Sequence, residues 1–134
     1  MSCKSVLYTA LETPTAVAVG GTIPLGTIIR RYGCNATLNG SGISINGAGY
    51  YDIDVSLVAV PDAAGTVKVA LYQDGVAVPG ATASATVAAA DTEVTLAFPA
   101  VVRLGCCSTG SVLTLVLTGA ASTVNSAAVV VAKT

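Results

Sequence analysis

The stretch that most constrains the fold is residues 49–60, which read Gly-Tyr-Tyr-Asp-Ile-Asp-Val-Ser-Leu-Val-Ala-Val. Apolar side chains recur at every second position, and polar side chains fill most of the positions between them. A period of two residues places alternate side chains on opposite faces of an extended strand. We therefore predict a long strand with one face in the core and the other outside. The predicted core face comprises Tyr51, Ile53, Val55, Leu57 and Ala59, and the predicted outer face comprises Tyr50, Asp52, Asp54 and Ser56.

Other short segments with strand-like alternation occupy most of the chain, and no window shows a helical period that starts at a cap. Between them lie the turn dipeptides Asn39-Gly40, Asp74-Gly75 and Pro79-Gly80, of which Asp74-Gly75 is typical of a type I′ hairpin. Turns at intervals of about 8–12 residues indicate a sandwich or a barrel. We predict an all-β fold, a two-sheet antiparallel jelly-roll sandwich of roughly 8–10 strands.

A chain of 134 residues is expected to form one domain. Residues 1–21 are interrupted by Pro14 and end at Gly20-Gly21, so we predict an N-terminal arm followed by a jelly-roll domain at 22–134. We expect the trimer that is inferred below to survive removal of this arm. Residues 1–8 lack the apolar core of a signal peptide, so export by the ordinary route is not expected.

The composition argues for self-association. Hydrophobic residues make up 53% of the chain and charged residues only 10%, against about 25% charged in an ordinary domain. Segments 111–118 and 127–131 are apolar on both faces, although a two-layer sandwich usually leaves one face of each sheet in water. We predict that another copy of the chain covers the outer face of one sheet, and that Ser, Thr, Asn and Gly solvate the rest.

Several functional classes are disfavoured. Six basic residues against seven acidic ones form no basic stripe, so nucleic acid is not an expected partner. Residues 104–132 carry no charge, but glycines and interleaved Ser and Thr interrupt them, so we predict no membrane-spanning segment. The absence of His removes the commonest general base and metal ligand. We therefore predict no enzymatic activity and no cofactor.

The four cysteines are Cys3, Cys34, Cys106 and Cys107. The adjacent pair Cys106-Cys107 has neither the spacing of a zinc site nor that of a redox pair. Free, partly buried thiols are one interpretation, and a disulfide within or between subunits is another. A metal site is the third.

Residues 49–55 resemble the Gly-aromatic-Tyr-x-Ile-x-Val strand of the trimeric jelly rolls that form the heads of complement and tumour-necrosis-factor-like proteins. Further stretches resemble this family in the same order. Ile23-Pro24-Leu25-Gly26 is similar to its entry strand, residues 74–80 to its Asn-Gly-x-x-Val-Pro-Gly hairpin, and residues 129–133 to its last strand. The resemblance covers about residues 20–134. It is strongest to the C-terminal domain of the collagen-like exosporium glycoprotein of bacterial spores.

The resemblance implies a homotrimer whose members cap fibres, bind receptors or decorate surfaces. Similar domains occur in phage head fibres and appendage tips. Because the sequence has a short arm and no collagen stalk, we expect a structural virion protein assembled in the host cytoplasm, in the form of a trimeric capsid decoration, head fibre or tail-appendage tip. The alternative is a spore-surface or cell-surface adhesion module that binds carbohydrate or protein.

Four groups of residues are candidates for a functional role. Asp52 and Asp54 lie on one strand face and are either ligands of Ca²⁺ or another axial cation, or a polar exposed surface. Tyr50 beside them either lines a sugar or partner surface or packs as an outer ring. Arg30 and Arg31 point to opposite faces, so one of them is available to pair with an acidic residue of another subunit. The residues proposed to anchor the arm to capsid or tail proteins are Cys3, Lys4, Leu7 and Tyr8.

Overall fold

The computed structural model describes residues 5–105 and 110–133, and every regular element within these ranges is a β-strand. No helix in them is long and apolar enough to span a bilayer. The described residues form eleven strands, slightly more than predicted. They are β1 (Ser5–Leu11), β2 (Thr15–Val17), β3 (Thr27–Tyr32), β4 (Ala36–Asn39), β5 (Gly42–Ile45), β6 (Gly49–Pro61), β7 (Gly65–Gln73), β8 (Val76–Val87), β9 (Val94–Leu104), β10 (Ser111–Thr118) and β11 (Ser122–Lys133).

The strands form two antiparallel sheets. The first, which we call the β6 sheet, has the order β3-β1-β11-β6-β9, with β2 paired to β11. The second, the β10 sheet, has the order β4-β5-β10-β7-β8. Several connections, such as β5 to β6 and β6 to β7, cross between the sheets, as in a jelly roll. The predicted fold class is confirmed.

The predicted core face of β6 is buried, since its five side chains from Tyr51 to Ala59 are at most 3% exposed. The β10 sheet covers it with leucines and valines at alternate positions of β7 and β10. Burial of one such side chain stabilises the fold by about 1.5–3 kcal/mol, so these rows hold the two sheets together. The facing residues of the β10 sheet are Val67, Val69, Leu71, Leu113, Leu115 and Leu117.

A polar network closes one end of this core. The Tyr51 hydroxyl lies 2.5 Å from the Asn46 carbonyl oxygen and 2.7 Å from that of Gly47. The Asn35 side-chain amide also donates to the Asn46 carbonyl, at 2.8 Å, and its oxygen accepts a hydrogen bond from Ser5. The network ties the start of β6 to the start of β1 and to both loops that flank β4 and β5.

Of the predicted turns, only Asp74-Gly75 is confirmed as placed. Asp74 and Gly75 have φ values of 53° and 83°, as a type I′ turn requires, and join β7 directly to β8. The β4–β5 turn lies one residue later than predicted, at Gly40-Ser41, since Asn39 still pairs with Gly42.

The predicted turn at Pro79-Gly80 is wrong. β8 continues through both residues, and its register with β7 shifts between Ala70 and Tyr72. The dipeptide therefore forms a bulge. The edge position of β8 allows this, because a proline at a sheet edge removes no hydrogen bond to a second neighbour.

The segment around Pro24, which is similar in sequence to the family's entry strand, does not form a regular strand. Thr22 makes only an isolated bridge to Val116, and the first regular strand after it is β3. Ile23 and Leu25 are nevertheless core residues, at 0% and 2% exposure. Their side chains pack in the core although their backbone lies in an irregular segment.

Much of the predicted arm is part of the sandwich. β1 lies between β3 and β11 inside the β6 sheet, and β2 pairs with β11. Leu7 and Thr9 of β1 are fully buried. Residues 5–17 are therefore not separable from the domain, while Cys3 and Lys4 lie outside the described residues.

Candidate functional site

The outer face of the β6 sheet, turned away from the core, carries the residues predicted to lie outside on β6. The strand register aligns them in rows that run across the sheet. One row contains Val6, Ala132, Asp52 and Val101, the next Tyr8, Val130, Asp54 and Pro99, and the third Ala10, Ala128, Ser56 and Ala97.

This outer face is mainly apolar and built from small side chains. The β11 residues Ala128, Val130 and Ala132 form its central strip, between β1 and β6. Val6 and Val101 are 39% and 59% exposed. Alanine, valine and proline fill most positions of these rows, around the polar Asp52, Asp54 and Ser56, and a contiguous apolar surface is typical of a protein–protein contact.

The outer face of the β10 sheet has the opposite character. Its side chains are mostly hydroxyls, and those of Thr66 and Thr86 bond to each other across two strands at 2.9 Å. Hydroxyl groups bind water and keep the surface of a sheet hydrated even where charged residues are scarce, as the composition suggests. The comparison singles out the β6 sheet as the one whose outer face another copy would cover. The hydroxyl residues on the β10 sheet are Thr37, Ser44, Thr66, Thr82, Ser84, Thr86, Thr114 and Thr118.

Asp52 and Asp54 stand in the middle of the apolar outer face, on the fourth of five strands in the main order. Both are exposed, and neither side chain makes a hydrogen bond or ion pair within the described part of the chain. No group of three or more metal-ligating side chains occurs in residues 5–105 and 110–133. Two carboxylates supply too few oxygens for a Ca²⁺ ion, which takes 6–8, so within one protomer they do not complete a cation site.

Arginines occupy both lateral edges of the same sheet. Arg30 on β3 is the register partner of Tyr8, and Arg103 on β9 is the register partner of Tyr50. Arg31 lies beside the buried Leu7 and donates to the Ala36 carbonyl at 3.2 Å, so the two neighbouring arginines do point to opposite faces. Arg30 and Arg103 therefore place positive charges at the two edges of the sheet, and the two aspartates of β6 lie between them.

The structure separates the other candidate residues. Tyr50 is 54% exposed and lies on the outer face, as predicted. Tyr8 is half-buried on that face, whereas Leu7 points into the core and is not available to a capsid protein. Cys34 is an exposed free thiol, and Cys106 and Cys107 lie outside the described residues.

Sequence reasoning missed most of the outer face. The alternation in 127–131 signalled a strand with two apolar faces, but it did not show that β1 and β9 continue the surface on either side. Arg103 carried no signal at all, because a single arginine near a strand end is ordinary in a sequence.

No family model matches the sequence, and no curated protein matches it. The fold, in contrast, is shared with solved structures. Murine APRIL aligns with a TM-score of 0.76 and 14% identity over 98% of this chain and 100% of its own. The globular domain of zebrafish complement 1qA aligns at 0.69 and 8% over 95% and 94%. Vertex protein P5 of PRD1 aligns at 0.65 and 14% over 96% of both chains.

These likenesses show the fold. The chain shares its jelly-roll fold with murine APRIL and with the globular domain of zebrafish complement 1qA. The finer likeness to the spore exosporium glycoprotein stays a prediction.

Proposed function

We propose that the chain is a structural virion protein that assembles as a homotrimer through the outer face of the β6 sheet. The observation that carries the proposal is the contrast between the two outer faces, one apolar and one covered with hydroxyls. An apolar face on a domain with so little charge is stabilised when a second copy removes it from water. The shared fold with the PRD1 vertex protein supports a role on a particle.

A pair of matched substitutions tests the contact surface. Val130→Arg places a charge in the middle of the apolar outer face, and Thr114→Arg places the same charge on the outer face of the β10 sheet. Both positions are half-buried strand positions outside the core. By analytical ultracentrifugation we expect a trimer for the unmodified chain and for Thr114→Arg, and a folded monomer for Val130→Arg. A monomeric unmodified chain would refute self-association, and a trimeric Val130→Arg would place it on another surface.

We place the contact with capsid or tail proteins at Cys3 and Lys4. Tyr8 is the register partner of Val130 on the outer face of the β6 sheet, so the contact between copies covers it. The test is incorporation of the chain into particles, measured by immunogold labelling of virions produced from the genome that encodes it. We expect labelled virions for the unmodified chain and unlabelled virions when residues 1–4 are deleted. Unlabelled virions with the unmodified chain would refute the role on the particle.

An adhesion module is the second candidate. In a trimer joined through the β6 sheet, the hydroxyl-rich face of the β10 sheet stays in contact with solvent. Rows of hydroxyls such as those of Thr66 and Thr86 match the hydrogen-bonding groups of a carbohydrate. Binding of the trimer to a glycan array, lost on Thr66→Val/Thr86→Val substitution, would favour this function.

A further inference from the structure

Asp52 and Asp54 pose a physical problem if another copy covers the outer face of the β6 sheet. A carboxylate removed from water without a partner is strongly destabilising, because its hydration is lost and nothing replaces it. Within the described residues neither carboxylate has a hydrogen bond or an ion pair. Assembly through this face therefore requires a cationic group beside the two carboxylates.

The described basic residues are not equally suited to this role. Arg31 is bonded to the Ala36 carbonyl, Lys68 lies on the β10 sheet, and Lys133 is already engaged. Arg30 donates to the Ile29 carbonyl at 3.1 Å. The side chain of Arg103 is exposed and makes no hydrogen bond or ion pair within the described residues. Among the described basic side chains of the β6 sheet, its guanidinium is the one without a partner.

The surroundings of Arg103 suit a contact with an apolar face. β9 is an edge strand, and between it and the β8 edge lies a groove of about 300 Å³. Val76 and Val101 on this rim are 69% and 59% exposed, and Pro79 lines the groove. The rim thus combines exposed apolar side chains with one unpaired cation, and the neighbouring copy's outer face combines apolar rows with two unpaired anions.

Val101 and Arg103 form the β9 margin of the outer face, and together with Val76 and Pro79 of β8 they make up a rim that is distinct from the patch around the two aspartates on β6. A contact between two different patches is heterologous, and it closes into a ring when the rotation between copies allows. Such a ring uses every rim and every face once, which agrees with a trimer and not with a two-fold dimer that joins identical patches.

We propose that Arg103 of each protomer binds Asp52 and Asp54 of the next protomer around the ring. Arginine presents a planar fork of donors that matches carboxylate oxygens. Repeated three times, the contact gives each pair of carboxylates one counter-charge and sets the register of rim on face. This inference rests on the proposed self-association through the outer face of the β6 sheet and names the contact within it.

The test is a charge exchange followed by sedimentation equilibrium. Arg103→Glu places a third carboxylate against Asp52 and Asp54 of the next protomer. Because like charges repel, we expect the dissociation constant of the trimer to rise by at least about tenfold. Adding Asp52→Lys and Asp54→Lys to Arg103→Glu is expected to recover most of that loss. Arg30→Glu is the matched control, since it makes the same change at the opposite edge, and it should leave the trimer intact.

The outcomes separate the two proposals. If Val130→Arg dissociates the trimer but Arg103→Glu does not, self-association stands and the ion pair is refuted. If Arg30→Glu has the effect expected of Arg103→Glu, the assignment to the β9 edge is refuted. Circular dichroism confirms that each variant is folded, and Arg103→Gln, which removes the charge without repulsion, should show an intermediate loss.

Discussion

Asp74, in the turn between β7 and β8, accepts a hydrogen bond from the hydroxyl of Ser111, at the start of β10, at 2.8 Å. Its other carboxylate oxygen accepts from the Val112 amide at 2.9 Å. The two bonds fasten the hairpin turn to the neighbouring strand. Hydrogen bonds from the Val112 amide and the Ser111 hydroxyl lower the pKa of the Asp74 carboxyl, since both favour its charged form.

Acidification is therefore expected to weaken the fold through Asp74. A lowered folded-state pKa gives stability that is present above the ordinary aspartate pKa of about 3.9 and is lost as the pH falls through the folded value. Asn at this position tolerates the positive φ and keeps one acceptor. We expect Asp74→Asn to lower stability near neutral pH by about 1 kcal/mol or less, and to flatten its dependence on pH below 5 in urea unfolding. An unchanged pH dependence would show that this carboxylate is not linked to folding.

Thr9 is expected to be a site where a substitution stabilises the protein. Its side chain is fully buried, and its hydroxyl oxygen has no hydrogen-bond partner among residues 5–105 and 110–133. Thr9→Val keeps the shape and removes the unpaired group, so we expect thermal unfolding to show a gain of about 1 kcal/mol. Thr9→Ser, which keeps the hydroxyl and removes the methyl group, should be destabilising. A loss of stability in Thr9→Val would mean that the hydroxyl is bonded in solution, for example to a buried water.

Tyr51→Phe tests the polar network at the end of the core. The substitution leaves the Gly47 carbonyl without the hydroxyl, while Asn35 still bonds to the Asn46 carbonyl. We expect a loss of about 1 kcal/mol in chemical unfolding, and none for Tyr32→Phe, where the ring is 70% exposed.

The same tyrosine predicts an alkaline effect. Burial raises the pKa of the Tyr51 hydroxyl, because desolvation disfavours the phenolate. Its contribution to stability is therefore complete below the ordinary tyrosine pKa of about 10 and is lost as the pH rises through the folded value. Stability measured between pH 9 and 11 should fall less steeply in Tyr51→Phe than in the unmodified chain, and equal slopes would contradict this assignment.

Two truncations separate the start of the chain from the sandwich. Deletion of residues 1–4 is expected to leave stability unchanged within about 0.5 kcal/mol, because every strand of the described residues stays complete. Deletion of residues 1–11 removes β1 from between β3 and β11, together with the buried Leu7 and Leu11. Each buried leucine contributes roughly 1.5–3 kcal/mol, so we expect this chain to be unfolded in circular dichroism. If the truncated chain folds, the prediction is wrong and residues 1–21 behave as an arm that the sandwich does not need.

The success of the strand predictions follows from burial. β6 and β10 each bury one complete row of apolar side chains, so their alternation is visible in the sequence. β1 hides the same pattern, because Ser5 and Thr9 occupy core positions as polar residues. The prediction of a turn at Pro79-Gly80 was wrong for another reason. The same dipeptide serves a turn or a bulge, and only the edge position of β8 decides which.

The candidate site was predictable in part. Tyr50, Asp52 and Asp54 were placed outside the core from period two alone. Their neighbours Val130 and Val101 come from distant parts of the chain, and no local pattern joins them.

By itself, the sequence determined that the protein is a β-sandwich, which face of β6 is buried, and that charge is too scarce to solvate the whole surface. Only the tertiary structure decided that β1 belongs to the β6 sheet, that its outer face is apolar while that of the β10 sheet carries hydroxyls, and that Arg103 shares a face with the two aspartates. The physical reason is the separation along the chain of the residues that interact. Alternation is a property of one strand and its own burial, whereas strand order and register depend on contacts between segments far apart in the chain.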